Sequence, residues 1–135
     1  MRRGQPLAPG NGPFVRRHRR GIEGIGEARD HQVVEALAHQ LPDLLAERDW
    51  PHADAILSGL PFAVWEPERQ DAVLDAVLAT LKPGGRFVTF TYAHTAMLSK
   101  ARRFRSVLLE RFQTVTISPV VWKNTPPAMV YRCQR

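Results

Sequence analysis

Two β-like runs with a helical pattern between them decide the fold: Asp54-Ala55-Ile56-Leu57-Ser58-Gly59-Leu60-Pro61-Phe62 and Leu81-Lys82-Pro83-Gly84-Gly85-Arg86-Phe87-Val88-Thr89-Phe90-Thr91-Tyr92. The first run is short and apolar, and Gly59 and Pro61 end it, which is typical of a buried strand. The second run is rich in β-branched and aromatic residues and follows a Pro-Gly-Gly turn. Two such strands joined by a helix predict parallel pairing, in a sheet covered by helices on both faces.

The segment between the two runs has the period of an amphipathic helix. Its apolar face is formed by Ala72, Val73, Leu74, Ala76, Val77, Leu78 and Leu81, with acidic and basic residues on the other side. Ligands of open α/β sheets bind outside the carboxyl ends of the strands. The sequence therefore predicts a functional edge formed by residues 58–62 and by the segment after Tyr92.

The charge of the chain is strongly basic and unevenly distributed. The 135 residues carry a net charge of +6, and residues 1–30 hold seven arginines against three acidic residues. A basic tail can bind nucleic acid or anionic lipid, or it can remain a solvated, disordered segment. Because the tail has almost no aromatic residues, we favour disorder, and nucleic acid is the weakest of the partner hypotheses.

The remaining composition indicates a reducing compartment. Cys133 is the only cysteine, so an intrachain disulfide and a cysteine zinc cluster are both excluded. No apolar run reaches the length of about 18 residues that a membrane-spanning helix needs, and the amino terminus lacks the apolar core of a secretory signal. We expect a cytoplasmic protein, with peripheral membrane contact left open. No spacing of His, Cys, Asp or Glu predicts a metal site.

The segments before the first run divide into a tail and two short helices. We predict a flexible tail over residues 1–27 and an α/β domain over residues 28–135. Gly21-Ile22-Glu23-Gly24-Ile25-Gly26 resembles a phosphate-binding loop only weakly, because no strand precedes it. Apolar spacing predicts helices over residues 30–39 and 42–48, separated by Pro42, which suits the start of the second helix.

The segments after Tyr92 predict a helix and a β-hairpin. Residues 98–112 form a basic amphipathic pattern, either a surface helix packing on the sheet or a cationic face toward a phosphate-bearing substrate or a membrane. Residues 113–121 and 126–133 are rich in β-forming residues and flank a short turn, which favours antiparallel pairing. The predicted order is strand, helix, strand, helix and β-hairpin.

This order resembles the C-terminal half of class I S-adenosylmethionine-dependent methyltransferases, a Rossmann-like α/β fold that ends in a reversed hairpin. The chain is most similar to the bacterial phospholipid N-methyltransferases, which methylate phosphatidylethanolamine. The ribosomal RNA adenine dimethyltransferases are a more distant relative. The similar segments are Leu81-Lys82-Pro83-Gly84-Gly85-Arg86-Phe87, Ser58-Gly59-Leu60-Pro61-Phe62, Phe90-Thr91-Tyr92 with His94, and Val121-Trp122-Lys123-Asn124-Thr125-Pro126-Pro127-Ala128.

The resemblance implies S-adenosylmethionine as the cofactor and a phospholipid amine at a membrane surface as the acceptor. It places Ser58 and Gly59 at the cofactor. Backbone carbonyl groups of the Leu60-Pro61 turn would orient the amine, and the ring of Phe62 would stack against the developing cation. Without the resemblance, the same residues predict a plain strand-to-helix turn with Phe62 in the core. Tyr92 would hydrogen-bond the substrate, and His94 would relay a proton. Trp122 and Asn124 would lie on the side of the lipid head group. Without the resemblance, these two residues predict a hairpin turn with a partly buried tryptophan.

The resemblance covers about residues 41–135 and leaves the front half of the fold unmatched. The glycine-rich loop after a first strand and the acidic ribose ligand after a second strand are not identified in the sequence. We therefore expect a truncated methyltransferase domain. The alternatives are a non-catalytic α/β remnant that associates, even with its own copies, through an exposed sheet edge, and an RNA adenine N-methyltransferase-like protein.

Overall fold

The computed structural model describes residues 37–135, and the predicted tail and the glycine-rich segment lie outside them. Four strands are present: β1 (Ala53–Ser58), β2 (Leu81–Tyr92), β3 (Thr114–Ile117) and β4 (Ala128–Gln134). Three α-helices accompany them: α1 (Leu41–Ala46), α2 (Pro67–Thr80) and α3 (Ser99–Arg111). Single 3-10 turns cover Ala38–Gln40 and Phe62–Val64. The predicted α/β class and the order of the elements are confirmed, whereas the helix predicted over residues 30–39 lies mostly outside the described residues.

The sheet has the strand order β1-β2-β4-β3. β1 and β2 are parallel, and α2 forms the crossover between them, as the sequence predicts. β4 lies antiparallel between β2 and β3, so the last hairpin reverses direction inside the sheet. β3 is shorter than the predicted run 113–121 because the chain leaves the sheet after Ile117 and returns through an isolated bridge at Val121.

The Pro-Gly-Gly turn forms an irregularity at the start of β2. Ala53 is opposite Leu81, but Ala55 is already opposite Arg86, so the residues between Leu81 and Arg86 bulge from the ladder. Gly84 has a positive φ of 75°. A β-carbon at Gly85 would lie only 2.8 Å from the carbonyl oxygen of Lys82. The two glycines are therefore required by backbone geometry, which explains this motif without any ligand.

The core lies between the sheet and the two long helices. Phe87 of β2 and Cys133 of β4 are opposite each other, so both point to the face on which α2 and α3 pack. The buried side chains of that core are Phe62, Val73, Leu74, Val77, Leu81, Phe87, Phe104, Val107, Leu108, Phe112, Tyr131 and Cys133. The expected helical cover is thus present on one face of the sheet within residues 37–135.

The helix α3 packs on the core as a surface helix. Arg103 bonds Asp71, Arg111 bonds Asp71 and Asp75, and Lys100 bonds Glu66. These ion pairs join α3 to α2 and to the residue before it, so three of the five basic residues in 98–112 serve helix packing. Arg102 and Arg105 remain exposed on the other side of the helix.

Cys133 is expected to be unreactive in the folded protein. Burial raises the pKa of its thiol from an ordinary value of 9.0 to about 12. Because the thiolate is the reactive form, a disulfide reagent at pH 8 will label the native thiol far more slowly than the thiol in denaturant. The raised pKa stabilises the native state fully below about pH 9, and this contribution is lost as the pH rises through about 12. Equal labelling rates in the native and denatured states would contradict this.

Candidate functional site

The Leu-Pro loop, residues 58–62, follows β1 at its carboxyl end and is held by two local hydrogen bonds. The Leu60 N–H donates to Oγ of Ser58 at 3.2 Å. The Phe62 N–H donates to the Leu60 carbonyl at 2.9 Å, and Pro61 has φ of −83° and ψ of 62°. These angles are those of an inverse γ-turn, and the proline ring favours its φ. The sequence Ser-Gly-Leu-Pro-Phe therefore builds a rigid corner.

The carbonyl groups of this loop differ in the number of hydrogen bonds that they already accept. The Pro61 carbonyl accepts one hydrogen bond, from the N–H of Val64 at 3.2 Å, and the Leu60 carbonyl accepts the one described above. The Phe62 carbonyl accepts two, from the Trp65 N–H at 3.2 Å and from Nε2 of Gln70 at 2.7 Å. Because a carbonyl oxygen has two lone pairs, Leu60 and Pro61 each keep one acceptor site, and Phe62 keeps none.

The structure places the ring of Phe62 in the core, with 2% of its surface exposed. Its ring stacks on Phe104 of α3 at 4.3 Å between centroids and meets Trp65 edge-on at 5.1 Å. This is the position of a core phenylalanine, so the ring anchors the Leu-Pro loop to α3. In this conformation the ring does not reach the surface on which an amine would bind.

Gln70 joins three elements around the site and was not identified from the sequence. Its side chain is completely buried. Nε2 donates to the carbonyls of Phe62, Trp65 and Lys100 at 2.7, 3.3 and 3.1 Å, and Oε1 accepts from Arg103 at 2.9 Å. The sequence pattern that could have identified Gln70 is its spacing: it lies three and four positions before Val73 and Leu74, which places a polar side chain on the buried face of α2.

The Tyr-His loop, residues 92–98, leaves the carboxyl end of β2 at the same sheet edge. The Tyr92 carbonyl accepts the backbone N–H groups of Thr95 and Ala96, and it also accepts the Thr95 hydroxyl at 3.0 Å. The rings of Tyr92 and His94 stack, with centroids 5.8 Å apart and planes at 16°. The stacking brings the two predicted side chains together, and both are accessible to solvent.

Phe90 connects the two loops, and the sequence did not single it out as a site residue. A β-carbon at Gly59 would lie 3.7 Å from the ring of Phe90. The Phe90 ring is in turn 5.4 Å from that of Tyr92. The loops predicted as one functional edge are therefore contiguous through an aromatic side chain two positions before Tyr92 on the same face of β2.

The β3–β4 connection lies beside the Tyr-His loop. The Ala93 N–H donates to the Pro127 carbonyl at 2.8 Å, which fixes the two loops together. Trp122 has 76% of its surface exposed, in contrast to the partly buried tryptophan that a plain hairpin turn predicts. Nδ2 of Asn124 donates to the Pro126 carbonyl at 2.7 Å, so this side chain shapes the loop.

Several exposed apolar side chains lie on these loops or, for Val64, in the 3-10 turn that follows the Leu-Pro loop. They are Val64, Met97, Leu98, Val121 and Trp122. Lys123 is also exposed there, whereas residues 93–98 and 118–127 contain no acidic side chain. The edge thus combines apolar surface with positive charge.

A separate groove, of about 380 Å³, lies at the opposite ends of β1 and β2. Its lining includes Pro42, Leu45, Trp50 and Thr80, which precede the strands. It is therefore remote from both loops and belongs to the packing of α1 against α2.

Residues 37–135 hold few of the groups that bind a nucleoside in open α/β sheets. Ser58 ends β1, and Gly59 follows it beside Phe90. The four strands end at Ser58, Tyr92, Ile117 and Gln134, so none of them within residues 37–135 is followed by the acidic side chain that binds a ribose. Nor do these residues bring together three side chains able to ligate a metal ion.

No family model matches the chain, and no curated protein matches it. Among solved structures it is similar to a protein of Streptococcus mutans, described as a candidate methyltransferase and crystallised in complex with S-adenosylhomocysteine. The two are 17% identical, with a TM-score of 0.44, over 70% of this chain and 57% of that one. The present chain therefore spans less than two thirds of the length of that protein.

Proposed function

We propose that the chain is an S-adenosylmethionine-dependent N-methyltransferase that acts on the amine of phosphatidylethanolamine. The observation that carries the proposal is the contact between the Leu-Pro loop and the Tyr-His loop through Phe90, at the carboxyl edge of two parallel strands. The sheet order β1-β2-β4-β3 with its reversed hairpin, and the sequence similarity of both loops to phospholipid N-methyltransferases, support it.

The two loops offer the groups that an amine acceptor needs. S-adenosylmethionine, when bound, supplies an electrophilic methyl group. The free acceptor sites on the Leu60 and Pro61 carbonyls would accept N–H protons and so hold the amine nitrogen in a fixed direction. The rigid γ-turn keeps these oxygens in place without reorganisation.

The side chains of the Tyr-His loop would hold the head group and accept a proton from the amine. The Tyr92 hydroxyl would hydrogen-bond the head group, and His94, stacked on it, would accept a proton from the ammonium form of the amine. Only the neutral amine has the lone pair that attacks a methyl group. Ser58 and Gly59 would line the cofactor, and Phe62 would act through the core as an anchor of the loop.

The exposed apolar and basic loops support a lipid substrate. Trp122 and Met97 are the kind of side chains that enter a membrane interface, and Lys123 would contact anionic head groups. None of the helices formed by residues 37–135 has both the length and the apolar character required to cross a bilayer. The geometry that we propose, on the evidence of the exposed apolar and basic loop side chains, is attachment at the membrane surface.

The test is transfer of a labelled methyl group from S-adenosylmethionine to vesicles containing phosphatidylethanolamine. We expect His94→Gln to lower the rate about tenfold, less than the common range for proton transfer because water can replace an exposed histidine. His52→Gln, at the other end of β1, is the matched control and should keep the wild-type rate. The absence of methylated lipid with the wild-type chain, or equal effects of both substitutions, would overturn the proposal.

A second candidate function is association through β1. Within the described residues this strand pairs only with β2, so its other edge has free backbone donors and acceptors. Leu57 on this strand has 81% of its surface exposed. Sedimentation at several concentrations, with Leu57→Lys as the variant, tests whether copies of the chain pair along this edge.

A further inference from the structure

One face of the sheet is not covered by any of the described helices. Phe87 and Cys133 point to the helices, so the alternating positions of β2 and β4 point away from them. We call this surface the open face; it includes Leu57, Arg86, Val88, Phe90, Tyr92, Val130 and Arg132. Phe90 and Tyr92 are 38% and 36% exposed, so their rings are accessible there.

The charge on the open face has a single sign. Arg86 and Arg132 are exposed and take part in no ion pair with the residues that the structure describes. Residues 81–98 and 112–135, which form β2, β3, β4 and their loops, include no aspartate or glutamate. By contrast, Asp71 and Asp75 of α2 are paired with α3 on the other side of the sheet.

The aromatic rings, the arginines and the absence of acidic groups from residues 81–98 and 112–135 fit a ligand that carries both flat rings and negative charges. Aromatic side chains on a flat sheet stack on unpaired bases, and arginines beside them bind the phosphates between those bases. We propose that the open face binds single-stranded nucleic acid, with bases on Phe90 and Tyr92 and phosphates at Arg86 and Arg132.

The positions of the four side chains agree with an extended ligand. Phe90 and Tyr92 are two residues apart on β2, which separates their α-carbons by roughly 7 Å along the strand. Arg132 lies opposite Val88 on β4, next to these rings, and Arg86 continues the same face toward the other end of β2. A strand of nucleic acid running along β2 would therefore meet the rings first and then the guanidinium groups.

A polypeptide on the same surface would face a less favourable charge. A second copy of this chain would bring another two arginines to the open face, because the interface of a twofold dimer repeats the same patch on both partners. Four like charges would then be partly buried without acidic partners from the open face. Charge complementarity thus favours a polyanion over a second copy.

The experiment is fluorescence anisotropy of the full chain with a labelled 12-nucleotide oligouridylate at a series of salt concentrations. We expect Phe90→Leu, which keeps an apolar side chain but removes the ring, to weaken binding roughly tenfold. We expect Arg132→Gln to lower the magnitude of the slope of log K against log salt by about 0.7. Arg102→Gln, an equal charge change on the helical side, is the control and should leave the slope unchanged. A duplex of the same length should bind more weakly, because its bases are already stacked.

Three results would overturn the proposal. The oligonucleotide could fail to bind, or it could bind Phe90→Leu as tightly as the wild type, which would locate binding elsewhere, such as the arginines of residues 1–30. Sedimentation could show a dimer that Phe90→Leu dissociates, which would make a second copy the occupant of the open face. Phe90 and Tyr92 also take part in the proposed methyltransferase site, but these results are measured by oligonucleotide binding and sedimentation and not by methyl transfer, so failure of one proposal can be distinguished from failure of the other.

Discussion

Phe62→Ala will lower the free energy of unfolding by about 3–5 kcal/mol, as expected for a phenylalanine removed from a packed core. The ring is 2% exposed and contacts the rings of Phe104, Trp65 and Phe87. Its loss would leave a cavity between the Leu-Pro loop and α3. Urea denaturation followed by circular dichroism gives the free energy directly.

The result decides between two roles for this residue. Val64→Ala is the matched control, since Val64 lies in the same turn but is exposed, and a change within about 0.5 kcal/mol is expected. A loss below about 1 kcal/mol for Phe62→Ala would mean that the ring is not a core anchor. It would then be free to stack against a cation, as the family resemblance implies.

Gln70→Leu will lower the free energy of unfolding by about 2–3 kcal/mol, although leucine is more apolar and similar in size. The substitution removes the donor to the carbonyls of Phe62, Trp65 and Lys100 and the acceptor for Arg103. Each buried polar group left without a partner costs about 1–3 kcal/mol. The total loss of stability is smaller than the sum of these costs, because some of the groups keep their other hydrogen bonds. We also expect faster hydrogen exchange at the amide groups of Val64 and Trp65, because the 3-10 turn loses its tie to α2.

Thr80→Val provides the comparison within the same helix. The Thr80 hydroxyl is buried and has no hydrogen-bond partner among residues 37–135. Replacing it with an isosteric methyl group should be neutral or stabilising by up to about 1 kcal/mol, with unchanged exchange in the Leu-Pro loop. Similar effects of the two substitutions would show that Gln70 fills space and does not position the loop.

The fold could be predicted from the sequence because each element has a strong local pattern. The β-branched run ending at Tyr92, the helical spacing around Leu74 and the breaker at Pro61 depend on backbone geometry and burial alone. The antiparallel hairpin followed from the short connection between its two runs. The length of β3 was overestimated because Val120 and Val121 have strand propensity but lie in a loop that returns to Ala128.

The placement of the two loops at one sheet edge was predictable, but their side-chain contacts were not. Strand ends placed residues 58–62 and Tyr92 at one edge, since this follows from parallel pairing. The sequence left two orientations open for Phe62, in the core or against the amine, because an aromatic residue after proline can turn inward or outward until α3 supplies Phe104 as its partner. The role of Gln70 depends on carbonyl groups up to 30 residues away, and no local pattern reports such contacts.

The open face was also beyond sequence reasoning. The arginines that the sequence analysis singled out lie in residues 1–30 and in the basic helix of residues 98–112, not on β2 or β4. The fold brings Arg132 of β4 beside Val88 of β2, so that a basic and aromatic surface forms from two segments that are each mildly charged. Charge clusters built by strand pairing are not visible along the chain.

The most direct test of the proposed methyltransferase is a titration of the folded chain with S-adenosylhomocysteine, observed by nuclear magnetic resonance at the backbone amide groups. The account predicts saturable shifts at Ser58 and Gly59, with smaller ones at Tyr92, and none beside the remote groove at Trp50. Shifts that do not saturate, or that spread evenly over the chain, would contradict a cofactor site at the carboxyl edge of β1. The Leu-Pro loop would then be a structural turn without a role in cofactor binding.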